Sequence, residues 1–561
     1  MIDHLVFVFY LYFFLFSTIG FGIKFSHIIN INLLNLNLGW YGIVGFFLIS
    51  LISIITSFFV AHNYFHNFIL HFFGFIFFCS NFLKRNNNKE YKIIFYLSLF
   101  LLIGAYLYKN HDDFSYYHLT YSLNLSENSF IVGTGNFSHG FRTFSSLFYY
   151  HSTLFLPFID YHLFHIGPFY ILLFFNYIIV LRLLNYIKIN FKNFLLYFSL
   201  LSLLFVNVVF YRIGEHGTDR SSQILLILIF FLFIEILSIK KKEIIFTYLC
   251  LIIIMVLLAA SMKAIYYLYF ILPIILLFKK KIFNQLLDKK NFLILFLILL
   301  SIGLNSIVYY LNTGCFFYPA EITCLFENDW SIPKNEVKLM SIHYEWWAKA
   351  GGGPGYSHEI DKQEYIKNFV WLENWIDRHF FNKVSDTLFG IILLCLIVVI
   401  SFMFYRKEKS KSYRNNNKIV YFLILFFLIE WFLKHPSMRY GGFVLIGLPF
   451  IIFSSSIISK FNYSKRAVYN LTIFFMVLSI IIFNLRNITR INKEIDVYGY
   501  KPLKSPYFFV DEVDLKIIAE SSNLKIYNPI NNACWASKTP CSYYPKLQIK
   551  DFLWMKMISR K

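Results

Sequence analysis

The sequence predicts an all-α polytopic membrane protein with about 14 transmembrane helices. Three observations carry that expectation. Hydrophobic residues fill 58% of the 561 positions and charged residues only 15%, where a soluble domain carries about a quarter charged residues. The apolar residues fall in runs of about 17–25, the length that crosses a hydrocarbon core. Lys and Arg collect in short stretches between alternate runs, the asymmetry that sets membrane orientation.

Taken in order, the runs lie near 4–23, 39–60, 64–83, 92–109, 160–187, 193–210, 222–238, 244–261, 263–278, 292–311, 384–404, 418–434, 441–458 and 467–485. The first lacks a basic start and a small-residue cleavage site, so it reads as a retained span rather than a secretory leader. Basic stretches share one side: Lys84-Arg85 with Lys89 and Lys92, Lys240-Lys241-Lys242, Lys279-Lys280-Lys281 with Lys289-Lys290, Arg406 through Lys418, and Lys460 with Lys465-Arg466. The positive-inside rule makes that side cytoplasmic. The formal charge of +21 is therefore a topology signal, and nucleic acid is not an expected partner. The opposite side receives loop 110–159, a short loop 211–221, a long loop 312–383 and a tail from 486.

Cysteines agree with that sidedness. Cys315 and Cys324 lie in the long outer loop, and Cys534 and Cys541 in the tail. Each pair spans a short stretch containing proline, and an oxidising compartment permits a disulfide in each. Neither pair has the spacing and histidine companions of a structural zinc site. Cys79, Cys250 and Cys395 fall inside spans and read as small apolar packing residues.

The outer loops hold the polar chemistry. Asp112-Asp113-Phe114-Ser115-Tyr116-Tyr117-His118 follows a span directly, and charge at a membrane boundary is expensive unless it faces a cavity or a partner. Adjacent carboxylates also push one pKa upward, which suits acid–base chemistry; a solvated acidic loop is the plain alternative. Tyr116–Ser126 and His139–His151 read as amphipathic helices lying along the outer membrane surface. Asp113 and His118 are five apart, off the α-helical stacking distance, and His118 reads equally well as an interfacial histidine.

Arg212, Glu215, His216, Asp219 and Arg220 crowd one nine-residue turn. A glycine-rich solvated turn explains them, and so does a phosphate held by the arginine forks with carboxylates orienting sugar hydroxyls or a metal. Lys263 between two apolar runs is a snorkelling lysine or a ligand. Lys434-His435-Pro436-Ser437-Met438-Arg439-Tyr440 concentrates cationic groups where a helix starts, a place that favours anions. The long loop carries Tyr344-Glu345-Trp346-Trp347 and Gly351-Gly352-Gly353-Pro354-Gly355. That composition suits a mobile cover over a sugar site and equally an interfacial aromatic belt.

With these residues in view, the chain resembles bacterial multi-pass members of the GT-C glycosyltransferase superfamily, which use polyprenyl-phosphate-linked sugars. The resemblance rests on the Asp112-Asp113 pair after a span and the outer-loop helices that follow. It is closer to a group of uncharacterised bacterial membrane proteins sharing Asp113-x-x-x-Tyr117-His118, Gly214-Glu215 with Asp219, Gly314-Cys315-x-x-Tyr318-Pro319, Pro436-x-x-Arg439-Tyr440 and Cys534-Trp535…Pro540-Cys541. One departure is that about three spans precede the acidic loop, where many GT-C enzymes have one. Residues 1–91 then read as an added module, 92–485 as the GT-C-like core and 486–561 as an extracytoplasmic tail.

The resemblance implies an inverting transferase in the bacterial inner membrane with its active site facing the periplasm or exterior. The donor would be a polyprenyl-phosphate-linked sugar, and the acceptor a glycan, lipid or protein. Asp113 would be the general base, with Asp112 as its partner. Arg439, Arg212 and Arg220 would hold the lipid phosphate, and Glu215 and Asp219 the sugar or an ion. Tyr117, His118, Lys263 and Tyr440 would complete the substrate site. A divalent ion is compatible with these carboxylates and not required by them. The competing expectation is a transporter, flippase or polymerase of lipid-linked glycans.

Overall fold

A computed structural model describes residues 2–29, 36–84, 88–189, 194–215, 217–288, 291–351, 361–409, 418–521, 523–531 and 533–560. Arg85, His216, Lys289, Lys290, residues 352–355 of the glycine run and residues 410–417 lie outside the described residues.

The chain is mostly helical, and among the described residues ten helices are long and apolar enough to cross a membrane. They are Ile2–Ile28, Leu38–Ser57, Tyr64–Lys84, Ile166–Lys188, Gly217–Ser238, Lys242–Met262, Phe292–Thr313, Leu372–Met403, Gly442–Ser459 and Lys465–Tyr498. Among the described residues, ten of the 14 expected segments reach that length. The other four segments are helical but shorter: Asn88–Leu101, Phe194–Val209, Ile271–Lys279 after a 3-10 stretch, and Lys418–Lys434.

Loops sort to two ends of the bundle. Lys280 Nζ donates to Leu237 O and Ile239 O at 3.0 and 2.9 Å. A two-stranded hairpin joins Arg406–Lys409 to Phe461–Tyr463. Basic stretches that the sequence assigns to one side thus pair with each other, Lys280 with the 237–239 turn and 406–409 with 461–463. Loop 110–159, the start of the helix Gly217–Ser238, the long loop and the tail meet at the opposite end, which we call the site end.

Glycines let the first three helices pack backbone to backbone. An added Cβ on Gly45 would lie 1.8 Å from Thr18 O, and one on Gly20 1.9 Å from Gly74 O. Small residues are what such close crossings need inside a bilayer. Tyr170 OH donates to Leu11 O at 2.7 Å, and Thr18 Oγ1 and Tyr150 OH share a 2.9 Å hydrogen bond, tying these helices to the rest of the bundle. Gly45→Ala is expected to destabilise by about 3 kcal/mol, because the methyl meets a carbonyl that cannot rotate away. Thermal unfolding of the detergent-purified protein checks this.

Two deeper polar clusters are paired, as a low-dielectric interior favours. Asn176 and Asn207 exchange amide hydrogen bonds of 3.0 and 2.8 Å. Arg182 reaches Glu235 at 2.9 Å and Tyr248 OH at 2.7 Å.

Two features of the site end correct the sequence reading. The all-α description fails in the tail, where Leu515–Ser521 pairs with Leu524–Pro529 and Leu547–Phe552 with Met555–Arg560, both antiparallel. The expected surface helices are internal instead. Leu119 to Ser126 are buried on every side of their helix, and Ser146–Ser152 is equally enclosed. The tail covers them: Val132 N–H donates to Lys556 O, Ile558 N–H to Val132 O and Tyr543 N–H to Phe137 O, at 2.8–3.0 Å. Their hydroxyls and amides, which read as a water-facing stripe, meet protein partners such as Trp535 O for Thr120 and Asn312 for Tyr121.

Candidate functional site

A cavity of about 520 Å³ opens at the site end. It is bounded by loop 110–159, the first turn of Gly217–Ser238, the Lys263 junction, the long loop and the 434–440 turn.

Asp113 enters from the first of these. The chain passes from Asp113 into a π turn, Phe114–His118, in which Leu119 N–H donates to Phe114 O. Such a turn bonds residues five apart. The five-residue separation of Asp113 and His118, a mismatch on an α-helix, therefore becomes an alignment, and both residues line the cavity.

Arg439 sits opposite on a 3-10 turn, Met438–Tyr440. The backbone here is held by side chains. Trp375 Nε1 donates to Pro436 O at 2.7 Å, Trp431 Nε1 to Ser437 O at 3.0 Å, and Gln223 Nε2 to Met438 O and Arg439 O at 3.2 and 3.3 Å. Gly441 follows at φ 97°, a left-handed conformation suited to glycine, and swings the chain into Gly442–Ser459. The arginine is thus presented on a fixed support.

Its guanidinium bridges two carboxylates. Nη2 lies 3.0 Å from Asp113 Oδ2 and Nε 2.8 Å from Asp219 Oδ2. Asp219 occupies the first turn of its helix, where a negative charge is favoured. Its other oxygen accepts from Lys263 Nζ, which also lies 4.2 Å from the Tyr440 ring centroid. The result is an alternating chain, Asp113–Arg439–Asp219–Lys263, drawn from four distant places in the sequence.

Burial alone would raise the Asp113 carboxyl; the Arg439 guanidinium, with His118 and His111, outweighs it and holds the group below its ordinary value. The His111 Nδ1 lies 3.4 Å from the same Oδ2. Burial lowers His118 to about 4, so its ring is neutral at physiological pH. The expectation that Asp112 would push Asp113 upward is corrected. Asp112 is exposed and does not line the cavity; the carboxylate that shares a cation with Asp113 is Asp219.

Tyr117, His118, Asp219, Lys263, Arg439 and Tyr440 all line the cavity with Asp113. Arg212, Glu215 and Arg220 do not. Arg212 pairs with Glu215 beside a different cavity, so the joint phosphate site of Arg439, Arg212 and Arg220 is not formed. The reason lies in the helix start at Gly217: Asp219 turns towards Arg439, while Arg212 and Glu215 precede the helix and face Glu494 and Arg490.

The site also contains residues whose part the sequence left open. The helix Lys334–Lys349 of the long loop brings His343, Tyr344, Glu345 and Trp347 to the cavity. Lys349 Nζ donates to Glu345 Oε1 at 2.7 Å. Beneath that wall is an ion triad: fully buried Arg142 donates to Gly135 O at 3.1 Å and Glu336 Oε1 at 2.7 Å, and Arg560 reaches Glu336 Oε2 at 2.7 Å. It joins loop 110–159, the long loop and the tail. An arginine after a glycine (Gly140-Phe141-Arg142) gave no sequence signal of burial.

Disulfides join Cys315 to Cys324 and Cys534 to Cys541. The first closes the loop that carries Tyr318 and Pro319 to the cavity wall. The second frames Trp535, whose N–H donates to Ser115 O at 3.0 Å next to the acidic pair. Among the described residues no group of three or more His, Cys, Asp or Glu side chains is arranged to hold a metal ion.

No curated protein and no solved structure matches the chain. A family model does, over residues 4–446. The match includes the first three spans as well as Asp113, Asp219, Lys263 and Arg439, the four residues of the alternating ion chain. Because it covers most of the sequence, the chain belongs to the family described as a domain of unknown function, DUF8201.

Proposed function

We propose that this membrane protein is an inverting glycosyltransferase of the GT-C kind. It would move a sugar from a polyprenyl-phosphate donor to a hydroxyl of a glycan, lipid or protein on the outer face of the bacterial inner membrane. The observation that supports this most is the Asp113–Arg439–Asp219–Lys263 chain in the wall of a cavity large enough for a sugar. It supplies a base for a hydroxyl and cations for a phosphate within one enclosure.

In this reading the acceptor oxygen attacks the anomeric carbon on the face opposite the phosphate. A new C–O bond forms, the bond from the anomeric carbon to the phosphate oxygen breaks, and the acceptor proton passes to Asp113. Polyprenyl phosphate departs with its negative charge against Arg439 and Lys263, where fixed cations lower the barrier most. Both the Arg439 and His111 contacts use Asp113 Oδ2, which leaves Oδ1 for the proton. A donor phosphate would compete with Asp113 for Arg439. Loosening that ion pair raises the carboxyl towards a better base only when donor is bound.

The pH dependence follows. Asp113, held low, stays ionised as pH falls, so the acid limb of kcat/KM lies below the ordinary carboxylate range. In Arg439→Gln, burial acts on Asp113 without its main opposing charge, and the acid limb moves to higher pH. A limb that does not move would dissociate Asp113 from the pH profile.

The function itself is tested by profiling envelope glycans of cells lacking the protein. Loss of a sugar, restored by the wild-type chain, is expected. An unchanged profile overturns the reading; a lost sugar restored by Asp113→Asn as well as by the wild type favours transport of a lipid-linked glycan.

A further inference from the structure

A second cavity, of about 450 Å³, lies at the same end of the bundle and shares no lining residue with the first. Its charge is one-sided. Lys109, Arg212, Arg486, Arg490 and Lys493 line it against Glu215 and Glu494. Two of the cations are neutralised in place: Arg212 pairs with Glu215, and Arg490 with Glu494 at 2.8 Å. Lys109, Arg486 and Lys493 remain, and among the described residues none of these three makes an ion pair.

Two of these three exposed cations have fixed neighbours. Arg486 donates to Val208 O at 2.6 Å and lies with its guanidinium 4.0 Å from the Tyr211 ring centroid. Lys109 Nζ lies 5.4 Å from the Tyr498 centroid.

The place of this cavity follows from helix length. Lys465–Tyr498 has 34 residues, about 51 Å at 1.5 Å per residue, against a hydrocarbon core of about 30 Å. The last turns, which carry Arg486, Arg490 and Lys493, therefore stand beyond the core at the headgroup level. Below and alongside them, Phe474, Val477, Ile481, Leu485 and Ile488 are exposed. Their spacing of three or four residues sets them on one face of the helix, and Leu485 reaches the cavity rim. A hydrocarbon stripe thus leads into a cationic cup.

We propose that this second cavity binds the phosphate headgroup of an anionic membrane lipid, whose acyl or prenyl chain lies along the 474–488 stripe. Phosphate supplies the charge the three unpaired cations call for, and the stripe selects a lipid over a free anion. Tyr211 and Tyr498 flank the headgroup as interfacial aromatics do. The site stands independently of sugar transfer, since its residues touch none of the Asp113 cavity.

Native mass spectrometry of the detergent-purified full chain tests this, with phosphatidylglycerol, phosphatidylcholine and inorganic phosphate as separate probes. Phosphatidylglycerol is expected to bind at least about tenfold more tightly than phosphatidylcholine. A Lys109→Gln/Arg486→Gln/Lys493→Gln variant should lose about fivefold for each charge removed. Arg439→Gln should leave this binding unchanged. Because Arg486 also caps Val208 O, the exposed pair Lys109→Glu/Lys493→Glu serves as a second variant with less risk to folding, and should weaken binding similarly. Equal binding of the two lipids overturns the proposal. So does saturation by inorganic phosphate at the same concentration as the lipid, or unchanged affinity in both variants.

Discussion

Asp113→Asn is expected to lower sugar transfer by about 10²–10⁴-fold, the share a positioned general base contributes, while the protein folds and inserts normally. The swap preserves shape and leaves an amide oxygen to accept from Arg439 Nη2, now at 3.0 Å from Asp113 Oδ2. What it removes is basicity. Arg439 keeps its 2.8 Å bond to Asp219, so the cationic side of the cavity stays assembled. The neutral amide competes less for Arg439 than the carboxylate does, so donor affinity should hold or rise. Purified wild type and variant are compared for transfer from a polyprenyl-phosphate sugar and for donor binding. A variant that transfers normally removes Asp113 from the chemistry; one that loses donor binding to the same degree makes it a structural partner of Arg439.

Glu336→Ala is expected to destabilise the fold by about 3 kcal/mol, the lower end for breaking a buried pair. Glu336 is itself 30% exposed, but its partner Arg142 is not exposed at all. Removal strands that guanidinium in the interior with Gly135 O as its remaining backbone acceptor. Arg560 loses both of its bonds to the same carboxylate. The consequence should reach the cavity, because the helix that begins with Glu336 in its first turn carries His343, Tyr344 and Trp347 to the wall. A lower Tm with raised KM and nearly unchanged kcat is the expected pattern. Glu336→Gln, which keeps acceptors for Arg142, should recover much of the loss. An unaltered Tm in the alanine variant would show that the triad holds nothing together.

Much of this site was legible because membrane proteins make charge conspicuous. Asp113, Asp219, Lys263 and Arg439 each stand at the end of an apolar run, where an ionised side chain needs a partner. Which partner it takes depends on how helices pack, and sequence proximity misleads there. Arg212 and Arg220 lie closest to Asp219 along the chain, yet Arg439, some 220 positions away, is the residue that pairs with it. Asp112 adjoins Asp113 and faces solvent.

The tail was less legible for a different reason. Alternation such as Leu547-Gln-Ile-Lys is a strand signal, but against so many longer apolar runs a pair of six-residue strands carried little weight. The helices of loop 110–159 look amphipathic because the surface that receives their polar face is protein, supplied by that same tail. Some apolar runs form helices shorter among the described residues than the run itself, as at Phe194–Val209.

The clamp that residues 500–560 place on the acidic loop sets an order of events during synthesis. A nascent chain stopped at Gly499 already contains all ten candidate spans and every residue that lines the Asp113 cavity. It lacks the Trp535 amide that holds Ser115 O, the Tyr543 hydroxyl bonded to Tyr116 O and the strand edge at Val132. Insertion of these spans would therefore finish before Asp113, the base of the proposed reaction, is framed. On the proposed reading, the site would gain its full frame only when residues 500–560 have folded back onto loop 110–159, with the Cys534–Cys541 bridge framing Trp535.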